Sequence, residues 1–199
     1  MSPIEKFKAA LSGSEIQVLH QCLQQAMQPL PKESVPWYLG GSHTATGHLT
    51  PLHAKALQQL SAQWVQLPLG LRWDTQEGTP SSRSLALAEW AKQLHDQGHV
   101  TGWRNEKFSF WEDQVIGLGK HSLEPTSHLP AAFEMERSAF RFFGLRSHAV
   151  HVNGFTLEGH VWCGRRAQTK STDPGMLDNI AAGGLPAGEL LHTCGVREM

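Results

Sequence analysis

Apolar positions that recur at helical spacing predict three helices in the first hundred residues of the chain. The first runs from Ser14 to Met27, and Ser14 with Gln17 three residues on fits a capping box at its start. Pro51 to Leu60 predicts a second helix, because proline is favoured in the first turn. Ser84 to Gln97 predicts a third, with an apolar stripe along one face and Gly98 as its C-terminal stop.

Shorter apolar runs predict strands and one further helix rich in aromatic residues. That helix is expected at Ala131 to Phe143 and is ended by Gly144, and loops are expected at Lys120 to Pro130 and at Thr169 to Ala182. Strands are expected at Val35 to Leu39, at Ala149 to Asn153 and at His160 to Arg165, and residues Val100 to Phe108 are expected to form a turn that leads into a strand. This mixture of helices and strands predicts the α/β class.

The composition excludes several classes of protein and partner. A net charge of -1 without a basic block argues against a nucleic-acid partner. The chain has no apolar run of the roughly 18 residues that a membrane helix needs, and no secretory h-region near its start. The three cysteines are far apart and odd in number, which argues for a reducing compartment, and a cytoplasmic location is expected. The oligomeric state is not indicated.

Twelve histidines raise the possibility of a metal site, and the densest group is His43, His48 and His53. Their spacing matches no zinc motif with paired cysteines or with histidines four residues apart. We therefore expect surface or loop histidines at these positions and no bound zinc.

The last seventeen residues contain the most informative motif of the chain. Gly183 is followed at fixed spacing by Glu189 and then by Arg197-Glu198-Met199, which gives the pattern G-x5-E-x7-R-E-M. This pattern resembles the opening of the Nudix box of diphosphate hydrolases. The complete box continues x-E-E-x-G-U, where U is aliphatic, and the sequence ends before those two glutamates.

Four upstream segments extend the resemblance to one Nudix subfamily whose members carry an additional N-terminal domain. That subfamily includes the Nudix portion fused to fungal thiamine pyrophosphokinase and its plant and bacterial relatives. The segments are Thr101 to Phe108, Phe133 to Leu145, His148 to Phe155 and Trp162 to Leu185. The resemblance implies an N-terminal α+β domain over residues 1–130 and the first half of a Nudix α/β/α sandwich over residues 131–199.

The resemblance also implies an activity and its principal residues. Members of this subfamily cleave thiamine diphosphate or its damaged oxo and oxy analogues to the monophosphates, a metabolite-repair reaction on a small-molecule diphosphate. Mg²⁺ or Mn²⁺ serves this chemistry, because hard cations prefer oxygen ligands and neutralise phosphate charge. By resemblance Glu198 is a catalytic metal ligand, the Gly183 carbonyl joins the metal shell, and Glu189 with Arg197 forms the structural ion pair of the box.

Substrate-binding candidates come from two places in the chain, each with a structural alternative. Trp103 and Arg104 are candidates for the wall of a pocket, but Trp103 also fits a core position, and Arg104 with Glu106 fits an ion pair on a strand. Arg165 and Arg166 end a strand before the box and fit either phosphate binding or solvated charge.

Two explanations are open for the missing glutamates: the sequence is a fragment of a longer product, or a frameshift or early stop shortened it. In either case we expect the 199-residue chain to hydrolyse diphosphates more slowly than the family does. We also expect its N-terminal part to pack more completely than its C-terminal part. The rival hypothesis is a non-catalytic module that binds a ligand or partner, with the Nudix segment as a remnant.

Overall fold

A computed structural model describes residues 2–26, 29–75, 78–112, 130–170 and 173–199. The loop predicted at Lys120 to Pro130 lies almost entirely outside these ranges. Backbone contacts divide the chain into two compact units, each assembled from separate stretches. The terminal unit comprises Met1–Leu30, Ala149–Gly183 and His192–Met199, and the core unit comprises Pro31–His148 and Gly184–Leu191. The predicted division after residue 130 concerns family domains and stays a prediction.

Helices and short strands make up the described chain, and the α/β class is confirmed. The helices are α1 (Pro3–Ala10), α2 (Gly13–Ala26), α3 (Pro51–Leu60), α4 (Pro80–Asp96), α5 (Arg137–Phe142) and α6 (Leu191–Glu198). The strands of the core unit are β1 (Val35–Leu39), β2 (Gly47–Leu49), β3 (Trp64–Leu67), β4 (Gly70–Trp73), β5 (Lys107–Phe110) and β6 (Phe133–Glu136). The later strands are β7 (Ala149–Val152), β8 (Gly154–Phe155), β9 (Val161–Trp162), β10 (Gly164–Arg165), β11 (Leu177–Asp178) and β12 (Ala181–Gly184).

The core unit contains a four-stranded sheet in the order β2-β1-β4-β3, beside an antiparallel pair of β5 and β6. β1 runs antiparallel to β2 and parallel to β4. The crossover that a parallel pair requires passes through α3 and β3. Thr50 caps α3 by accepting a hydrogen bond from the His53 amide, and Thr79 caps α4 in the same way from Ser82.

Tryptophan side chains form the centre of the core unit. Trp37, Trp64, Trp73 and Trp90 are all buried, and Trp64 lies within ring-contact distance of the other three. Phe143 joins this cluster, with its ring centroid 6.2 Å from that of Trp37. The main cluster of buried apolar residues lies between Trp37 and Phe143, so it includes residues on both sides of residue 130. The expectation that the N-terminal part packs more completely than the C-terminal part stays a prediction.

The terminal unit consists of α1, α2, most of α6 and two-stranded pairs of very short strands. β8 pairs with β9 and β10 pairs with β11, both antiparallel, and β12 lies beside β7. α1 packs on this set through Phe7, whose ring centroid is 5.7 Å from that of Phe155, and through Lys6 Nζ, which donates to the Leu157 carbonyl. Such short pairs bury little apolar surface by themselves.

Several sequence predictions are confirmed and several are wrong. The strand at Val35–Leu39 and the helix at Pro51–Leu60 are confirmed at their exact bounds. The helix predicted from Ser84 begins at Pro80, because Thr79 provides the cap. The capping box of α2 is formed by Ser12 with Glu15, not by Ser14 with Gln17.

The largest error concerns the helix predicted at Ala131 to Phe143. Residues Phe133–Glu136 form β6, and only Arg137–Phe142 is helical. Phe133 and Met135, two residues apart, are both buried in the core, as alternate residues of a strand can be. The backbone of β6 pairs with β5, and this pairing with a distant segment overrides the local helical spacing.

The later strand predictions are confirmed in part. Ala149–Val152 is a strand, as predicted. The strand predicted at His160 to Arg165 is instead two strands, β9 and β10, which pair with different partners. The loop predicted at Thr169 to Ala182 contains β11 and the first residues of β12.

In the described part of the chain, every helix falls short of the length and apolar character that crossing a membrane demands. The same residues contain no disulfide among Cys22, Cys163 and Cys194.

Candidate functional site

Within the terminal unit, the two residues expected to bind metal lie against each other. Glu198 is the last residue of α6, and Gly183 lies in β12. A Cβ atom placed on Gly183 would be 2.2 Å from Glu198 Cδ and 2.3 Å from its Oε1. Only glycine leaves the space that the Glu198 carboxylate occupies, which is a physical reason for a glycine at the start of the motif.

Arg197 and Glu189 are the pair that the resemblance assigns to bracing the box. The Arg197 guanidinium donates to Glu198 Oε1, and its second nitrogen lies 3.5 Å from Cys194 Sγ. Glu189 follows β12 in the core unit, where its amide donates to the Pro186 carbonyl. Because Glu189 and Arg197 belong to different units, their ion pair stays a prediction.

The described residues supply only part of a metal site. A hard divalent cation takes about six oxygen ligands, usually with several carboxylates or phosphate oxygens among them. Near Gly183 the described chain offers the Glu198 carboxylate and main-chain carbonyls, and no group of three or more metal-binding side chains occurs anywhere in the described ranges. The donors present therefore do not complete a site for Mg²⁺ or Mn²⁺.

Arg165 and Arg166 of the terminal unit already make protein contacts. Arg165 Nη1 donates to the Gly175 carbonyl at 2.7 Å, and Arg166 Nη1 lies 2.5 Å from Asp178 Oδ2. The Arg166 guanidinium holds the pKa of Asp178 below its usual range, and the Asn179 amide adds to this effect. Phosphate binding by Arg166 would have to compete with Asp178, and the predicted role of both arginines in substrate binding stays a prediction.

In the core unit, Trp103 and Arg104 belong to a turn that is held by a buried carboxylate. Glu136, only 6% exposed, accepts hydrogen bonds from the amides of Arg104 and Glu106. Trp103 packs against the core, and its Nε1 donates to Asn105 Oδ1 at 2.8 Å. The alternative pairing of Arg104 with Glu106 is wrong, because Glu106 forms its ion pair with Arg137.

Arg104 lines a cavity of about 490 Å³ in the core unit, and Trp103 does not. The other charged or titratable residues of its wall come from α3, from α5 and from the segment after α4: His53, His99, Arg137 and Arg141. Sequence reasoning missed these four. A local signal exists for two of them: Arg137 and Arg141 are four residues apart and therefore lie on one face of α5.

The prediction of surface or loop histidines fails at His48, which lies in β2, and at His53, which lies in α3, and both are half-buried. The environment of His53 is the more specific of the two. The His53 ring stacks on Phe142 with centroids 4.1 Å apart, and its Nδ1 lies 2.9 Å from the Phe142 carbonyl. Since a carbonyl only accepts, Nδ1 carries the proton. Burial lowers the pKa of His53; the hydrogen bond to Phe142 opposes this shift and nearby His99 adds to it. Burial also lowers the pKa of His148, which lies near Arg146.

These two histidines are expected to make the core unit sensitive to acid. In an unfolded chain a histidine titrates at about pH 6.5. As the pH falls through that value, the unfolded state takes up protons that His53 and His148 resist in the folded state, so the free energy of unfolding decreases. Urea unfolding followed by tryptophan fluorescence at about pH 7.5 and about pH 5.5 measures this loss.

The double substitution His53→Gln with His148→Gln is expected to reduce the loss of stability between the two pH values. His43, which is exposed, provides the matched control, since His43→Gln removes a histidine without changing the two half-buried ones. An acid-induced loss that is as large in the double variant as in the parent would contradict the assignment.

Comparison with known proteins finds relatives over about half of the chain. No family model matches it. It is 38% identical over 112 residues, 55% of its length, to Nudix hydrolase 20, chloroplastic, of Arabidopsis thaliana, and covers 26% of that protein. The identity to Nudix hydrolase 24, chloroplastic, of the same plant is also 38% over 112 residues, with 27% of that protein covered.

An uncharacterized protein of Saccharomyces cerevisiae is 35% identical over 91 residues, which are 43% of this chain and 22% of the yeast protein. The chain thus spans about a quarter of the length of the curated relatives it matches. The two plant relatives support the Nudix family, to which the motif from Gly183 to Glu198 also points.

Proposed function

We propose that this chain carries part of a Nudix hydrolase that cleaves a phosphorus anhydride in a small-molecule diphosphate. The similarity to two plant Nudix hydrolases is the observation that carries this proposal. The contact between the Glu198 side chain and Gly183 supports it, because the motif predicts that these two residues share one site.

The substrate class that we propose is thiamine diphosphate or its oxo and oxy analogues, cleaved to the monophosphate. Support comes from the four sequence segments that resemble the subfamily associated with thiamine pyrophosphokinase. Mg²⁺ or Mn²⁺ is the proposed cofactor, with Glu198 as one ligand. A cytoplasmic location and the absence of a nucleic-acid partner are proposed on composition alone.

We further propose that the 199-residue chain works slowly by itself. Among the residues that the structure describes, Glu198 is the carboxylate beside Gly183, which leaves most of the coordination shell to water and substrate, and Arg197 competes for this carboxylate. Weak metal binding and turnover below the usual enzyme range, that is below about 1 per second, are the expected consequences.

Manganese binding tests the role of Glu198. Electron paramagnetic resonance of free Mn²⁺ is expected to show weak binding by the parent chain. The affinity should be about tenfold or more lower in Glu198→Gln, because even the loss of a residue that only supports a metal ligand typically lowers metal affinity by that factor. Gly183→Ala should act in the same direction, since the new Cβ would displace the Glu198 carboxylate.

Gly195→Ala provides the matched control for Gly183→Ala. A Cβ on Gly195 would lie 3.4 Å from Val150 Cγ1, which is an ordinary contact, so Mn²⁺ binding should be unchanged. Conversion of oxythiamine diphosphate to the monophosphate, followed by chromatography, should require metal and should be lost in Glu198→Gln. Equal Mn²⁺ binding by the parent and Glu198→Gln, with no metal-dependent product, would exclude the diphosphatase.

That negative outcome would favour a non-catalytic ligand- or partner-binding remnant of a Nudix protein. The observation in its favour is the lack of a complete metal-binding group in the described ranges. This second candidate predicts that ligand affinity is independent of Mg²⁺ and is unchanged in Glu198→Gln.

A further inference from the structure

The cavity in the core unit has a strongly basic wall. Three arginines line it, Arg104, Arg137 and Arg141, together with His53 and His99. No aspartate or glutamate is among the described residues that line it. Its volume of about 490 Å³ lies within the range of small-molecule sites.

Among the described residues, one acid neutralises one of the three guanidinium groups. Arg137 pairs with Glu106, and its Cζ lies 4.9 Å from the centroid of the Phe108 ring. In the described part of the chain, Arg104 and Arg141 have no carboxylate partner, and both are exposed. Guanidinium groups present paired N–H donors that match the oxygens of a phosphate, so two of them in one cavity favour a phosphate ligand.

The opposite character belongs to the floor of the cavity. Phe108, Phe140 and Phe142 line it with the 3–7% of each residue that is exposed, and the half-buried His53 ring, which stacks on Phe142, adds its open part. An inorganic anion would leave this apolar surface uncovered. A planar ring attached to the phosphate would cover it and gain aromatic contact.

We propose that this cavity binds a phosphate ester of a planar heterocycle, with Arg104 and Arg141 holding the phosphate and the phenylalanine floor holding the ring. Arg137 is a positioning residue, since its charge is shared with Glu106. Ser147 adds a hydroxyl group to the wall for the polar part of the ligand, whereas the Ser138 hydroxyl already donates to Glu136. The proposal does not rest on the diphosphatase, because neither Glu198 nor a metal ion takes part in it.

Calorimetric titration of the full 199-residue chain in the presence of EDTA tests the site. Three probes are compared. AMP carries both the phosphate and the planar ring, ribose 5-phosphate carries the phosphate without the ring, and adenosine carries the ring without the phosphate. AMP is expected to bind tightest, ribose 5-phosphate about tenfold or more weaker, and adenosine weakest. Arg104→Gln with Arg141→Gln should reduce AMP affinity about a hundredfold or more, since the loss of each charged contact typically costs about tenfold.

Lys55→Gln is the matched control, because Lys55 is exposed on α3 and does not line the cavity. It removes one positive charge, against two in the double variant, and should leave AMP affinity unchanged. A loss of affinity that is as large per charge as in the double variant would reduce the effect to general electrostatics and overturn the proposal. Equal affinity for AMP in the parent and the double arginine variant, or no binding of AMP, would also overturn it. Tryptophan fluorescence verifies that each variant is folded.

The two proposals fail separately. Glu198→Gln should retain AMP binding in EDTA, since it lies in the terminal unit. Loss of metal-dependent product with intact AMP binding would exclude the diphosphatase and leave the cavity proposal standing. Metal-dependent product without AMP binding would exclude the cavity as a phosphate-ester site and leave the diphosphatase standing.

Discussion

Replacing Gly144 with alanine is expected to unfold the core unit. Gly144 follows α5 and has a φ of 60°. Its amide donates to the Arg141 carbonyl, and the Leu145 amide donates to the Phe140 carbonyl, as in a Schellman motif. A Cβ at this position would lie 1.7 Å from the His48 carbonyl oxygen, which is backbone of β2. The turn must separate from the sheet, so we expect a loss of about 4 kcal/mol or more, an exceptional value for one substitution.

Gly98 provides a control with the same local geometry. It follows α4 at a φ of 80°, and its amide and that of His99 make the corresponding bonds to His95 and Leu94. A Cβ there would meet nothing within 4 Å. Gly98→Ala therefore isolates the conformational cost, about 1 kcal/mol. Urea unfolding followed by tryptophan fluorescence gives both values, and similar losses in the two variants would contradict the steric argument.

Elements whose signals are local could be predicted from the sequence. α3 has its proline in the first turn and its threonine cap immediately before, so Pro51–Leu60 was predicted exactly. Gly144 and Gly98 were also predicted correctly as helix stops, since a left-handed residue after a helix favours glycine.

Elements that depend on distant partners could not be predicted in this way. β6 is a strand because it pairs with β5, and the two are separated by more than twenty residues of chain. β4 is only four residues long, too short to show a clear alternation of apolar and polar side chains. It pairs in parallel with β1, and α3 lies between the two strands in the chain. Local spacing contains no information about either pairing.

The same distinction applies to the candidate sites. The motif relates Gly183 to Glu198 by fixed spacing, and the two residues do lie in contact. The basic cavity brings together Arg104, His53 and Arg141, which are tens of residues apart on three different elements. Only the fold of the core unit makes them neighbours. The sequence indicated Arg104 as a candidate for a pocket wall, but no local pattern placed His53 or Arg141 beside it.

Glu136 connects the cavity to the stability of the core unit, and its removal is the second large effect that we expect. Its Oε1 accepts from the Arg104 amide at 3.1 Å and from the amide and hydroxyl of Ser138, and its Oε2 accepts from the Glu106 amide at 3.2 Å. Glu136→Ala leaves these donors without their acceptor, so the free energy of unfolding should fall by about 2–4 kcal/mol. Glu136→Gln retains one acceptor oxygen and should lose about 1–2 kcal/mol.

Glu134 is the matched control, because it lies two residues earlier on the same face of β6 and its carboxylate makes no hydrogen bond to the described residues. Glu134→Ala should change the free energy of unfolding by less than about 0.5 kcal/mol. The turn that carries Arg104 also loses its anchor in Glu136→Ala, so AMP affinity should fall even under conditions where the variant is folded. Equal stability of Glu134→Ala and Glu136→Ala would show that solvent satisfies the Arg104 and Glu106 amides, and that the carboxylate does not hold the turn.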